Sequence, residues 1–172
     1  QRQMCIRDRV NRVDVFVFDK EGTFIMKKSE QGETLGSGSY RMPLPLPVGE
    51  YRIAAWAGVS DDFEMPELVA GKSTLEDLMV RMKRKESLVH NKALNPLWYG
   101  EVKTVDFTGR QEQTEMVSLI KDTNKFRFIL QKSGPGEELD MSDCLFEIHA
   151  DNGYYDWNND LLDDDVISLS LI

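Results

Sequence analysis

The chain has 172 residues and a formal charge of −9 at pH 7, with 30% charged and 41% hydrophobic residues. One ordinary domain of that length buries a sizeable core without disulfide staples, and the acidic balance disfavours nucleic acid, whose phosphates require a clustered basic surface. Cys5 and Cys144 make neither a disulfide framework nor a Cys-x-x-Cys pair, no cationic start leads into an apolar signal core, and no run approaches the roughly 20 apolar residues of a membrane helix.

Residues 1–9 show no alternation and no turn chemistry, and read as a leader outside the fold; a single domain is expected over 10–172. Val13, Val15 and Val17 oppose Asp14, Phe16 and Phe18, and Asp19-Lys20-Glu21-Gly22 turns this strand back into Thr23–Lys28 as a hairpin. A Gly/Ser-rich loop leads to an extended Tyr40–Leu46. Its Pro43 and Pro45 belong at a sheet edge, where a missing N–H does no harm. Pro47 and Gly49 then deliver a strand in which Tyr51, Ile53, Ala55 and Ala57 alternate with Arg52, Ala54 and Trp56. Apolar on both faces, it reads as an interior strand between two layers, with Trp56 in the core.

One helix is expected next. Ser73 and Glu76 have capping-box spacing, and Leu75, Leu78, Met79 and Met82 form one apolar stripe. Arg81, Lys83, Arg84 and Lys85 follow where the helix dipole favours positive charge. Strands are expected at Leu97–Phe107, Glu115–Lys121, Lys125–Lys132, Leu145–Ala150 and Val166–Leu171. Asp122-Thr123-Asn124 reads as a tight link, residues 133–136 as a looser one, and Asn152-Gly153 as a two-residue hairpin turn. About seven or eight short strands with one short inserted helix define a mainly β chain, an antiparallel β-sandwich.

Catalytic chemistry is thinly represented. His90 and His149 lie apart, no Ser or Cys sits in a nucleophile elbow, and both histidines read as surface or partly buried residues. Cys144 reads as a small buried thiol. The acidic tract 156–165 lacks the glycine at the sixth position and the glutamate at the twelfth that a calcium loop of the EF-hand type needs, and reads as a solvated loop. Tyr154, Tyr155 and Trp157 are the candidates for a ligand-stacking surface that would bind the apolar face of a sugar. No catalytic residue, metal ligand or cofactor site is assigned, and the chain reads as a non-enzyme.

Five segments, Val13 to Gly22, Pro47 to Gly58, Leu97-Trp98-Tyr99-Gly100, Thr123 to Arg127 and Asn152 to Leu162, together resemble, in order and spacing, the Mfa2/FimB family of fimbrial anchor lipoproteins from Bacteroidales. The resemblance implies a transthyretin-like β-sandwich, normally the first of two such domains, held at the outer membrane through a lipidated N-terminal cysteine. It implies a structural role: attaching a filament built of a fimbrial shaft subunit to the cell surface and limiting its length, by strand addition between subunits. The chain departs from the family pattern. Cys5 has no apolar run before it, the family's strand upstream of Val13 has no counterpart, and residues 167–172 alternate cleanly where the family continues toward Tyr-x-Pro. The reading is therefore an N-terminal domain fragment whose missing first strand leaves a sheet edge open. The alternative is a glycan-binding or adhesin module on the same fold.

Overall fold

The computed structural model describes residues 10–33, 35, 40–84, 89–90, 94–127, 129 and 145–171. The first hairpin forms as expected from β1 (Arg12–Asp19) and β2 (Phe24–Gln31), its turn closed by the Asp19 carboxylate accepting the Thr23 N–H at 2.8 Å. β3 (Gly49–Ala57) is followed by β4 (Phe63–Glu64), β5 (Val80–Met82), β6 (Val89–His90), β7 (Trp98–Phe107), β8 (Leu119–Lys121), β9 (Phe146–Ala150), β10 (Tyr154–Tyr155) and β11 (Ile167–Leu171). Among the described residues the strands outnumber the expected seven or eight because several span only two or three residues.

Five strands form one antiparallel sheet in the order β2-β1-β3-β7-β8. The interior position read for β3 is realised: Val15 lies opposite Ala55 on one side, and Tyr51 opposite Val105 on the other. On its inner face Phe16, Phe18, Ala54, Trp56 and Tyr99 pack against Phe63, Val80 and Met82 of a second sheet, β10-β5-β4. Trp56 is wholly buried and tilts against Tyr99 (5.3 Å) and Tyr155 (6.3 Å). A third sheet, β6-β11-β9, adds Ile167 to this core. Its β6–β11 pair is parallel, the one exception among the described ladders in a mostly antiparallel fold, and the long chain between the two strands permits it.

The outer face of the large sheet is buried too, under a different kind of cover. Val15, Ile53, Ala55 and Val105 lie beneath Met42, Leu44 and Val117. Residues 40–46 therefore do not form the expected edge strand. Their prolines cannot join a ladder, and the segment lies across the sheet instead, with Lys28 Nζ donating to the Pro43 carbonyl at 2.5 Å.

The expected helix shrinks to a single 3₁₀ turn, Leu75–Asp77. Its N-terminal bond also falls one residue later than the sequence spacing places it: the Asp77 carboxylate accepts the Thr74 N–H at 2.8 Å, while the Ser73 hydroxyl accepts from the Val69 N–H. Leu75, Leu78, Val80 and Met82 are all buried, but 80–82 reaches the core as strand β5 because β4 and β10 offer ladders on either side. Arg81 and Arg84 are consequently not helix-end cations, and Lys85 lies outside the described residues. The Asn152-Gly153 hairpin also does not form, since β9 pairs with β11 and β10 with β5. Gly153 is needed for close approach instead: a Cβ there would sit 2.8 Å from Ile167 Cδ1, and its carbonyl accepts the Met82 N–H. Glu115–Met116-Val117-Ser118 and residues 125–127 are irregular, and half of the expected 125–132 strand falls outside the described residues, as do Cys5, Cys144 and the leader 1–9.

Gly58 ends β3 at φ +77°, where a Cβ would lie 2.1 Å from the Pro96 carbonyl and 2.7 Å from the Trp98 ring. Gly58→Ala is expected to cost about 2–3 kcal/mol, combining left-handed backbone strain with a clash against backbone. Urea unfolding followed by tryptophan fluorescence measures it, and a change under about 0.5 kcal/mol, the size of an ordinary surface substitution, would contradict it.

Candidate functional site

The acidic tract does not behave as one solvated loop. Residues 156–160 close a turn in which Asp156 Oδ1 accepts the Asn158 and Asp160 N–H groups, with Asn159 at φ +66°. Asp164, by contrast, has a fully buried side chain that pairs with two guanidiniums, Arg81 Nη2 at 2.6 Å and Arg84. Burial would raise the Asp164 pKa, but the hydrogen bonds from Arg81, Arg84 and the Asp165 N–H outweigh it and hold the carboxyl below its ordinary value. Asp122 is the opposite case. Burial pushes it up, and the bond it accepts from Asn159 Nδ2 at 2.9 Å does not offset that cost. Among the described residues no three metal-ligating side chains converge.

The three aromatic candidates do not share one surface. Tyr155 and Trp157 turn inward and pack against the main core, Tyr155 beside Trp56. Tyr154 points to the other face of its strand, where Arg81 stacks on its ring at 5.2 Å and its hydroxyl donates to Met79 Sδ. All three are half-buried. His149 sits on the surface with Nδ1 2.8 Å from Ser168 Oγ, and the side chain of His90 lies outside the described residues.

The outer face of the second sheet carries a feature that spacing did not reveal. Tyr154 pairs in register with Arg81, and Arg81 with Glu64, so the three side chains form one cross-strand row. Together with Met65, Leu68 and Met79 they line a cleft of about 670 Å³. Glu67 and Asp77 also line it. Of these residues only Tyr154 stands out in the sequence. The others come from segments up to 90 residues away, and Arg81 and Met79 read there as a helix-end cation and part of a helix stripe.

The large sheet has two edges. The start of β2 is covered, because Phe24 donates to the Ser73 carbonyl and accepts from the Gly71 N–H, and its middle carries Lys27 and Lys28. β8 is the barer edge. It pairs only with β7 among the described residues, and it exposes Leu119 and Ile120, the latter by 57%. Met116 and Phe126 flank it, exposed by 82% and 71%.

A mainly β protein of stacked sheets, with Leu119 and Ile120 exposed on β8, defines a structural class, and comparison with known proteins places it more closely. Residues 5–172 match the family model of fimbrillin-A associated anchor proteins Mfa1 and Mfa2. The chain belongs to this family. It is 45% identical to a Bacteroides thetaiotaomicron protein of known structure, provisionally named for polysaccharide binding, with a TM-score of 0.88 over 93% of this chain and 56% of that one. A Bacteroides ovatus protein provisionally named an adhesin is 30% identical, with a TM-score of 0.78 over 95% of this chain and 56% of that one. The minor fimbrium anchoring subunit Mfa2 of Porphyromonas gingivalis is 27% identical over 105 residues, 60% of this chain and 32% of that protein. The chain thus spans about half the length of the solved relatives and a third of the anchoring subunit. No helix among the described residues is long and apolar enough to cross a membrane.

The two shifted carboxylates make opposite predictions. Asp164 has a depressed native pKa, so its stabilisation is whole above the unfolded value of about 3.9 and is lost as pH falls through the native one. Asp164→Asn is expected to lose about 2–4 kcal/mol at pH 7, with the gap to wild type closing below about pH 4. Asp122 has a raised native pKa, so its charge opposes folding at neutral pH and not in strong acid. Asp122→Asn keeps the acceptor for Asn159 and is expected to be neutral or up to about 1 kcal/mol more stable at pH 7, converging with wild type near pH 3. Urea unfolding at a series of pH values separates the two behaviours.

Proposed function

We propose that this chain is the filament-holding domain of a fimbrial anchor, which fixes a fimbrium to the outer membrane and limits its length through strand-addition contacts with the shaft subunit. The observation that carries the reading is the β8 edge, set beside membership of the anchor family. An incoming extended segment along β8 would cover the exposed side chains of Leu119 and Ile120 and could extend the sheet beyond its last described strand. The role is structural and non-catalytic on this reading. The fold is of transthyretin-like type, the domain is the first of two, and its membrane link is a lipidated cysteine on a segment upstream of Val10. Glycan binding is the second reading. It is supported by the exposed side of Tyr154 in the cleft and by the provisional name of the Bacteroides thetaiotaomicron relative, and would appear as a change in tryptophan or tyrosine fluorescence on glycan titration.

Edge blocking tests the main reading. Leu119→Lys/Ile120→Lys places charge on solvent-facing positions and is expected to leave the fold intact while weakening capture of purified fimbrial shaft subunit at least tenfold. Capture is read by surface plasmon resonance. Unchanged capture by the double variant would remove β8 as the acceptor, and no capture by the wild-type chain would remove the strand-addition role.

A further inference from the structure

The cleft on the outer face of the second sheet is unused by the strand-addition reading, and its charge is unbalanced in a specific way. Arg81, its one guanidinium, is already committed: Nε and Nη2 both donate to Asp164 Oδ1, at 3.2 and 2.6 Å, and the same group stacks on Tyr154. Asp77 is committed as well, accepting from the Thr74 N–H and hydroxyl. Glu64 and Glu67 have no ion-pair or hydrogen-bond partner among the described residues, and both are exposed at the cleft. Beneath them the surface is apolar, formed by Met65, Leu68 and Met79, with Leu68 and Met65 half-buried against the core.

These properties describe one kind of occupant. Two carboxylates with no ion-pair partner among the described residues, set over an apolar surface, fit a long aliphatic side chain with a positive end, whose methylenes lie on methionine and leucine while the ammonium or guanidinium reaches the carboxylates. The fixed Arg81–Tyr154 stack forms the opposite wall. It costs no ordering on binding, because Asp164 already holds the guanidinium in place. We propose that this cleft is a second docking surface for a polypeptide partner, and that it takes a lysine- or arginine-bearing extended segment by its side chains. The proposal rests on the assembly role above, and it differs from it physically: the β8 edge recognises backbone, the cleft recognises side-chain charge. A subunit held by both would be held at two faces of the domain, with the avidity that brings.

The difference in chemistry gives the test. A blocked hexapeptide of alternating lysine and valine, N-methylated at every backbone nitrogen so that it donates no ladder hydrogen bond, is titrated into the full chain with isothermal calorimetry. The expected result is binding that weakens about three- to tenfold in Glu64→Gln/Glu67→Gln, that weakens similarly between 0.05 and 0.5 M salt, and that is unaffected by Leu119→Lys/Ile120→Lys. As a control for general attraction to an acidic protein, Glu112→Gln/Glu115→Gln on a distant exposed loop should change nothing. Binding lost equally in that control, binding retained in the cleft variant, equal binding of the glutamate–valine peptide, or no heat with the wild-type chain would each overturn the cleft proposal while leaving the β8 edge standing. Displacement of the peptide by neutral oligosaccharides would reassign the cleft to glycans.

Discussion

The structure depends on burying both faces of β1 and β3 at once. A strand buried on one face alone would leave either the Phe16, Phe18 and Trp56 set or the Val15, Ile53 and Ala55 set in water, at about 1.5–3 kcal/mol for each large side chain. The two covers differ in kind. The inner face is closed by a second hydrogen-bonded sheet, whereas the outer face is closed by the unladdered, proline-bearing segment 40–46 and by Val117. Small residues make this possible: Ala55 and Gly100 lie opposite each other, and a Cβ on Gly100 would come within 2.7 Å of Val117 Cγ1.

Buried charge marks where the layers are tied. Asp14 is the one polar residue inside the apolar run of β1, fully buried and held by Arg12, Lys27 and Ser29, the last at 2.5 Å. Burial penalises its charge and the three donors outweigh that penalty, leaving its pKa lowered. It fastens the β1–β2 pair. Asp164 does the equivalent work between distant parts of the chain, joining the segment before β11 to β5 across 83 residues. Arg12, Lys27 and Arg81 stay partly in water, so most of the counter-charges are less desolvated than the carboxylates they pair with, whereas Arg84 Nε and Nη1 are buried. That geometry lets the pair hold without the full penalty of an isolated buried ion pair. The same Asp164 tie fixes Arg81 over Tyr154, which links the packing of the third sheet to the shape of the outer cleft.

Much of the sheet was legible along the chain. The β1–β2 hairpin, the interior placement of β3, the burial of Trp56 and the strands at 98–107, 146–150 and 167–171 all follow from period-two alternation and turn residues, which act over a few positions. The family resemblance was legible for the same reason in three of its five segments, which are β1 with its turn, β3 and the start of β7. The site was less so. Tyr154 was identified, but its neighbours Arg81 and Met79 read as a helix end and a helix stripe, and Glu64 carries no signal of its own.

What the sequence alone determined is the set of extended segments and which side chains alternate, because β geometry imposes a two-residue repeat wherever it occurs. Only the tertiary structure decided which segments pair. Leu75 to Met82 fits a helical stripe as well as it fits a turn plus strand, and the ladders available from β4 and β10 chose the latter. Tyr154 and Tyr155 point to opposite faces because β10 is pinned to β5, sending one ring into the core and the other into the cleft. Pairing of that kind is a contest between partners far apart in the chain, settled by hydrogen bonds and burial that no local window contains.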